Sequence, residues 1–78
     1  MKVTLPECQI IRVNSGTSKA GNPYMVATLV SGRDIFELFV PESYRNDFDG
    51  HEGDICTAPV VNLTFSHGGW RVYPAWRD

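Results

Sequence analysis

The chain has little of what usually announces a chemistry. Its 78 residues contain two cysteines, Cys8 and Cys56, with no CxxC spacing and no Cys/His cluster. That excludes a disulfide scaffold and a zinc module. Both cysteines lie in strand-like contexts and read as small buried hydrophobes. No apolar run is long enough to span a bilayer. Residues 1–7 lack the apolar core of a secretion signal, so the expected setting is the cytoplasm, with no membrane partner. The two histidines, His51 and His67, stand apart in turn-like segments. No serine or cysteine occupies a nucleophile elbow, and no glycine run matches a phosphate loop. The carboxylates of residues 42–54 lack metal-loop spacing and read as a solvated acidic link. The expectation is a non-enzyme that needs neither cofactor nor metal. A small hydrolase or nuclease would require a metal site that these residues do not offer.

Positive charge is also scarce: the net charge is −2, against the basic excess common in nucleic-acid binders. Its distribution matters more than its sum. Glu42, Asp47, Asp49, Glu52 and Asp54 crowd into residues 41–54, opposed there only by Arg45. Outside that segment Lys2, Arg12, Lys19, Arg33, Arg71 and Arg77 outnumber Glu7, Asp34, Glu37 and Asp78 by six to four. The acidic segment is expected to face away from any anionic ligand.

What is present is a single small β domain covering residues 1–78. Hydrophobic residues make up 42% of the chain, too many for disorder. Residues 2–14 suit a long strand, bent or bulged near Pro6. Residues 15–23 read as a loop. Residues 24–31 and 35–40 form two strands joined at Ser31-Gly32-Arg33-Asp34, where Gly32 supplies positive φ. Residues 41–48 predict one or two poorly capped helical turns, ended by Asp49-Gly50. Residues 55–65 give a fourth strand, with Pro59 marking an edge or bulge. A turn at Ser66-His67-Gly68-Gly69 leads to a fifth strand from Trp70. The fold class is therefore all-β: a small five-stranded OB-fold-like barrel with a short helical turn or loop between strands three and four. An SH3-like barrel is the competing arrangement.

The binding signals gather around Ser15-Gly16-Thr17-Ser18-Lys19-Ala20-Gly21-Asn22-Pro23-Tyr24, a flexible polar loop with one cation that opens onto an aromatic. A charge for the backbone beside a π-face for a base suits a single-stranded nucleic acid. Alternation puts Tyr24, Val26 and Thr28 on one face of their strand and Met25, Ala27 and Leu29 on the core face. Arg71 and Tyr73 likewise share a face of the last strand, opposite Trp70 and Val72. Phe36 and Phe39 read as core.

The same ten residues resemble the SG-x-S-basic-x-G-x-PY segment of the filamentous-phage single-stranded DNA-binding proteins, the gene V type helix-destabilising proteins. The chain length and the Arg71-Val72-Tyr73-Pro74-Ala75 tail follow the same layout. The resemblance implies an OB-like homodimer that coats single-stranded DNA cooperatively, with the loop as a DNA-binding wing. It gives Lys19 the phosphate-contacting role, Tyr24 the exposed aromatic role and Val26 an apolar position near DNA, with Arg71 at a basic position of the last strand. Three features depart from the family pattern: Glu37 on the third strand, the acidic net charge and a shorter final hairpin.

The expected function is thus a non-sequence-specific protein that coats and protects unpaired DNA during phage or mobile-element replication. Its partners would be single-stranded DNA, or RNA, and a second copy of the chain, in the host cytoplasm if phage-encoded. Arg12, Lys19, Arg33 and Arg71 would track phosphates, while Tyr24, Tyr73 and Trp70 stack on bases. Val60, Leu63 and Phe65 would supply the dimer contact around a His67-Gly68-Gly69 tip. The rival is a protein-interaction barrel that uses the same exposed aromatics as a contact patch.

Overall fold

A computed structural model describes residues 1–57 and 59–77. Seven strands form two antiparallel sheets: β1 (Lys2–Thr4), β2 (Cys8–Thr17), β3 (Pro23–Ser31), β4 (Asp34–Phe39), β5 (Ile55–Cys56), β6 (Val60–Ser66) and β7 (Gly69–Pro74). One sheet runs β1-β6-β7 and the other β4-β3-β2-β5. The result is a small all-β, barrel-like fold in which one sheet curls into a half-barrel.

The first strand bends as its sequence requires. Pro6 has no N–H for a ladder, and the strand breaks over residues 5–7. The half before the break pairs with β6 through Val3 and Val61, and the half after it pairs with β3 and β5. A second irregularity falls between Ile10 and Arg12, where the register slips and Ile11 is turned outward. The expected strand 55–65 is two strands in different sheets, β5 and β6. Ala58, which that reading included, lies outside the described residues.

The helical link matches its weak capping signals. A 3-10 turn (Glu42–Tyr44) runs into a single α-turn, α1 (Arg45–Phe48), with no side-chain cap on either. Its use is packing. Tyr44 and Phe48, four residues apart, both point inward and join Ile10, Leu29, Leu38 and Val61 in the core. Trp76 closes over them, 5.2 Å edge-on from Tyr44 and 5.6 Å from Phe48. The tail is tied down by polar bonds. The Tyr44 hydroxyl donates to the Arg77 carbonyl at 2.5 Å and accepts from the Arg77 N–H at 2.7 Å. Asp47 accepts from Trp76 Nε1 at 3.0 Å and from the Arg77 guanidinium at 2.6 Å. Among the described residues no helix is long and apolar enough to cross a membrane.

Candidate nucleic-acid interface

The alternation read for β3 is the one observed. Met25, Ala27, Leu29 and Ser31 are buried, whereas Tyr24, Val26 and Thr28 stand on the outer face. Cross-strand register extends that face. Asn14, Val26 and Phe39 form one row, and Arg12, Thr28 and Glu37 form the next. Directly opposed residues share a face, so Phe39 points outward. Its expected place in the core is thereby corrected. Phe36, Leu38 and Val40 are the inward set of that segment, and Phe39 alternates with them.

The wing is also corrected. Ladder pairing continues through Gly16–Tyr24 to Thr17–Pro23, so the expected loop of residues 15–23 shrinks to residues 18–22. That tip is a closed turn rather than a floppy segment. Ser18 N–H donates to the Asn22 carbonyl at 2.8 Å, and Gly21 N–H to the Ser18 carbonyl at 2.9 Å. The Asn22 N–H also donates to Ser18 Oγ at 3.2 Å. Lys19 projects from it, exposed.

Behind the tip, Tyr24 lies across Gly16. A Cβ at position 16 would sit 2.6 Å from the Tyr24 hydroxyl oxygen and 2.8 Å from Cζ. Glycine is therefore what lets the hydroxyl end of the ring lie over β2, with Tyr24 still 48% exposed.

β7 completes the site beside β4. The Tyr73 ring lies 6.0 Å from Phe39, and the Arg71 guanidinium sits 5.0 Å above the Phe39 ring. Tyr24, Phe39 and Tyr73 line one groove of about 340 Å³ with Pro41, Glu42 and Arg45. Sequence reasoning missed Phe39, Pro41, Glu42 and Arg45 as lining residues, of which Phe39 adds a ring and Arg45 a cation. Glu42 on the wall also corrects the expectation that the whole acidic segment faces away.

The other expected positions divide. Arg12 is exposed on the same outer face, two strands from Glu37. Arg33 sits in the β3–β4 turn, at the far end of the sheet. Seven residues of strand separate Tyr24 from Ser31, about 24 Å at ~3.4 Å each. Trp70 does not join Arg71 and Tyr73. It pairs with Phe65 across β6 and β7, ring centroids 5.3 Å apart and edge-on, on the opposite face. That face also carries Leu63 and Val72. Where the hairpin runs past the core its apolar stripe emerges, leaving Phe65 and Trp70 each 62% exposed. Val60 has the other parity on β6, so the expected trio of Val60, Leu63 and Phe65 does not share one face.

Among the described residues no group of three or more His, Cys, Asp or Glu side chains is placed to hold a metal ion. Comparison with protein-family models, with characterised proteins and with solved structures finds no match to this chain.

Proposed function

We propose that this protein binds single-stranded DNA without strong sequence preference, coating unpaired strands during phage or mobile-element replication in the cytoplasm. The observation that carries this reading is the groove. Three aromatic rings, Tyr24, Phe39 and Tyr73, surround a cleft flanked by the Arg71 and Arg45 guanidiniums. An unstacked base is flat, apolar on its faces and attached to an anion, and each element of the groove answers one of those properties. Lys19 at the hairpin tip and Arg12 on the neighbouring strand supply cations for the backbone on either side. The resemblance of residues 15–24 to the wing of the filamentous-phage proteins supports the same reading independently.

Mechanism follows from differential binding. The rings can stack only on bases that are not already stacked in a duplex. Binding therefore lowers the free energy of the unpaired form and melts hairpins by mass action. Each stacked base contributes about 1–3 kcal/mol, so two or three occupied rings give useful affinity without any base-edge readout. The test is a titration of intrinsic fluorescence with a poly-pyrimidine oligonucleotide at low and high salt. Quenching that saturates at low salt and weakens steeply as salt rises is expected. Absence of quenching at low salt removes the proposal.

A second reading rests on the exposed Phe65–Trp70 pair. As a contact surface it serves the first reading equally well, because a protruding hairpin can pack against its own copy about a two-fold axis. A homodimer with paired grooves is part of the proposal. A salt-insensitive complex with another protein would favour the interaction-barrel alternative.

A further inference from the structure

Cys8 and Cys56 are far apart in sequence but directly opposite in the β2–β5 ladder. Directly opposed residues of antiparallel strands have Cα atoms about 4.5–5.5 Å apart and side chains on one face. A disulfide accepts Cα separations of roughly 4.4–6.8 Å. The register is pinned two residues further on, where Ile10 N–H donates to the Asp54 carbonyl at 2.9 Å and Gly53 N–H to the Ile10 carbonyl at 2.6 Å. Both thiols are free. Their surroundings differ. Cys8 is 1% exposed, and its thiol donates to the Pro6 carbonyl at 3.0 Å. Cys56 is half-buried and forms part of the wall of an open cavity of about 490 Å³, together with Asn46, His51, Thr57 and Trp76.

We propose that Cys8 and Cys56 are a redox site that closes to an intrachain disulfide by exchange with a low-molecular-weight disulfide of the glutathione type. Cys56, reached through the cavity, reacts first. Its thiolate attacks one sulfur of the small disulfide, whose S–S bond breaks and releases one thiolate, which takes up a proton. Cys8 then gives up its bond to Pro6, loses its proton to solvent and attacks the Cys56 sulfur of the mixed disulfide. That step releases the second small thiol. Two protein thiols are oxidised, one small disulfide is reduced to two thiols, and nothing else is consumed.

The surroundings set the rate. Burial pushes both thiols above their ordinary pKa. Cys56 is raised further by Cys8 opposite it and by the carboxylates of Asp54 and Asp47, while a hydrogen bond from Ser31 partly offsets the rise at Cys8. His51, bonded to Asp54 at 2.7 Å, stands on the cavity wall, and Arg77 is held at Asp47. Thiolate is therefore scarce at neutral pH, and the exchange accelerates as pH rises. The bridge would fix β5, a two-residue edge strand, to β2. The wing end of β2 lies far from the bridge, whereas Asn46 on the cavity wall adjoins the groove residue Arg45. Cys8 lies eight residues along β2 from Gly16, about 26 Å at ~3.3 Å per residue.

The test treats the folded, reduced chain with oxidised glutathione at mildly alkaline pH and follows it by intact mass and by thiol alkylation. The expected product has lost two hydrogen atoms, resists alkylation and maps to a Cys8–Cys56 cross-link. Its Tm is raised, and dithiothreitol restores the original value. Folded Cys8→Ala should stop at a glutathione adduct on Cys56, and folded Cys56→Ala should remain unmodified. A persistent adduct on the unaltered chain would overturn the proposal. So would cross-links between two chains, or a bridge that forms only after denaturant has unfolded the protein.

Discussion

Tyr24 and Gly16 act as one unit. The hydroxyl end of the ring rests over β2 because position 16 has no Cβ, so Gly16→Ala should lift the ring off β2. Since Tyr24 is half-exposed, the ring can swing outward at small cost to stability. Gly16→Ala is therefore expected to weaken DNA binding nearly as much as Tyr24→Ala, by about 1–3 kcal/mol, with Tm barely changed. Tyr24→Phe should bind almost normally. Parallel binding and melting curves for the three variants check this; a large loss of Tm in Tyr24→Ala would make the ring structural instead. The cations give a second expectation. Lys19→Ala should reduce affinity uniformly across sequences and make the salt slope shallower by about one phosphate contact. Glu37→Lys, on the same face as Arg12, should raise low-salt affinity and steepen the slope. Tyr24 was legible as an exposed residue because alternation along β3 is strict. Residue type alone reads Phe39 as core, whereas its alternation with Phe36, Leu38 and Val40 puts it outside. Arg45 had no such local signal. It sits among acids in sequence and reaches the groove only because the link folds beside β4.

At the scale of elements, hairpins and the helical link were readable because each carries its own backbone chemistry. Gly32 takes φ 62° in the β3–β4 turn. In the β6–β7 turn His67 at φ 52° precedes Gly68 at φ 79°, the two left-handed residues that a tight hairpin needs. Pairings between distant segments were not readable. Nothing local in residues 55–56 announces that they edge β2, and so the Cys8–Cys56 juxtaposition had no sequence signature. The tail's attachment is equally non-local and can be tested. Tyr44→Phe removes the hydroxyl that both donates to and accepts from the Arg77 backbone. It should cost about 1–3 kcal/mol, because a part-buried N–H and carbonyl lose their partner. Denaturant midpoints measure the loss, and DNA affinity should change little, because the Tyr44 side chain does not line the groove that its neighbours Glu42 and Arg45 help to form.

For the whole molecule, two properties can be measured, one set by its small size and one by its buried thiols. A chain this short exposes sheet edges and has a modest core, and the proposed pairing of two copies would offset both. Phe65→Asp is expected to shift a dimer towards monomer and to reduce DNA affinity together, as read by light scattering and titration. A monomer that binds as tightly as before would separate the groove from the hairpin. The second property is pH dependence. Burial raises both thiols from the ordinary value of 9.0. Above that value the unfolded chain releases thiol protons that the folded chain retains, so stability is lost as pH rises. Under reducing conditions the denaturant midpoint should fall as pH climbs past 9.0. The fall should be smaller in a Cys8→Ala/Cys56→Ala double variant.

The bend at Pro6 also sets an order of assembly. The meander β2-β3-β4 joins neighbours in sequence and can form while the chain is still being synthesised. β1 must wait for β6, since Val3 meets Val61 only after most of the chain has appeared. Until that ladder closes, the apolar face of Ala27, Leu29 and Leu38 has only the link's Tyr44 and Phe48 against it and lacks Val61. Tyr24 and Phe39 are assembled early on the meander, whereas Tyr73 arrives with the last strand. A nascent chain therefore carries two-thirds of its aromatic triad before it is a barrel, and the third ring joins only when the second sheet is in place.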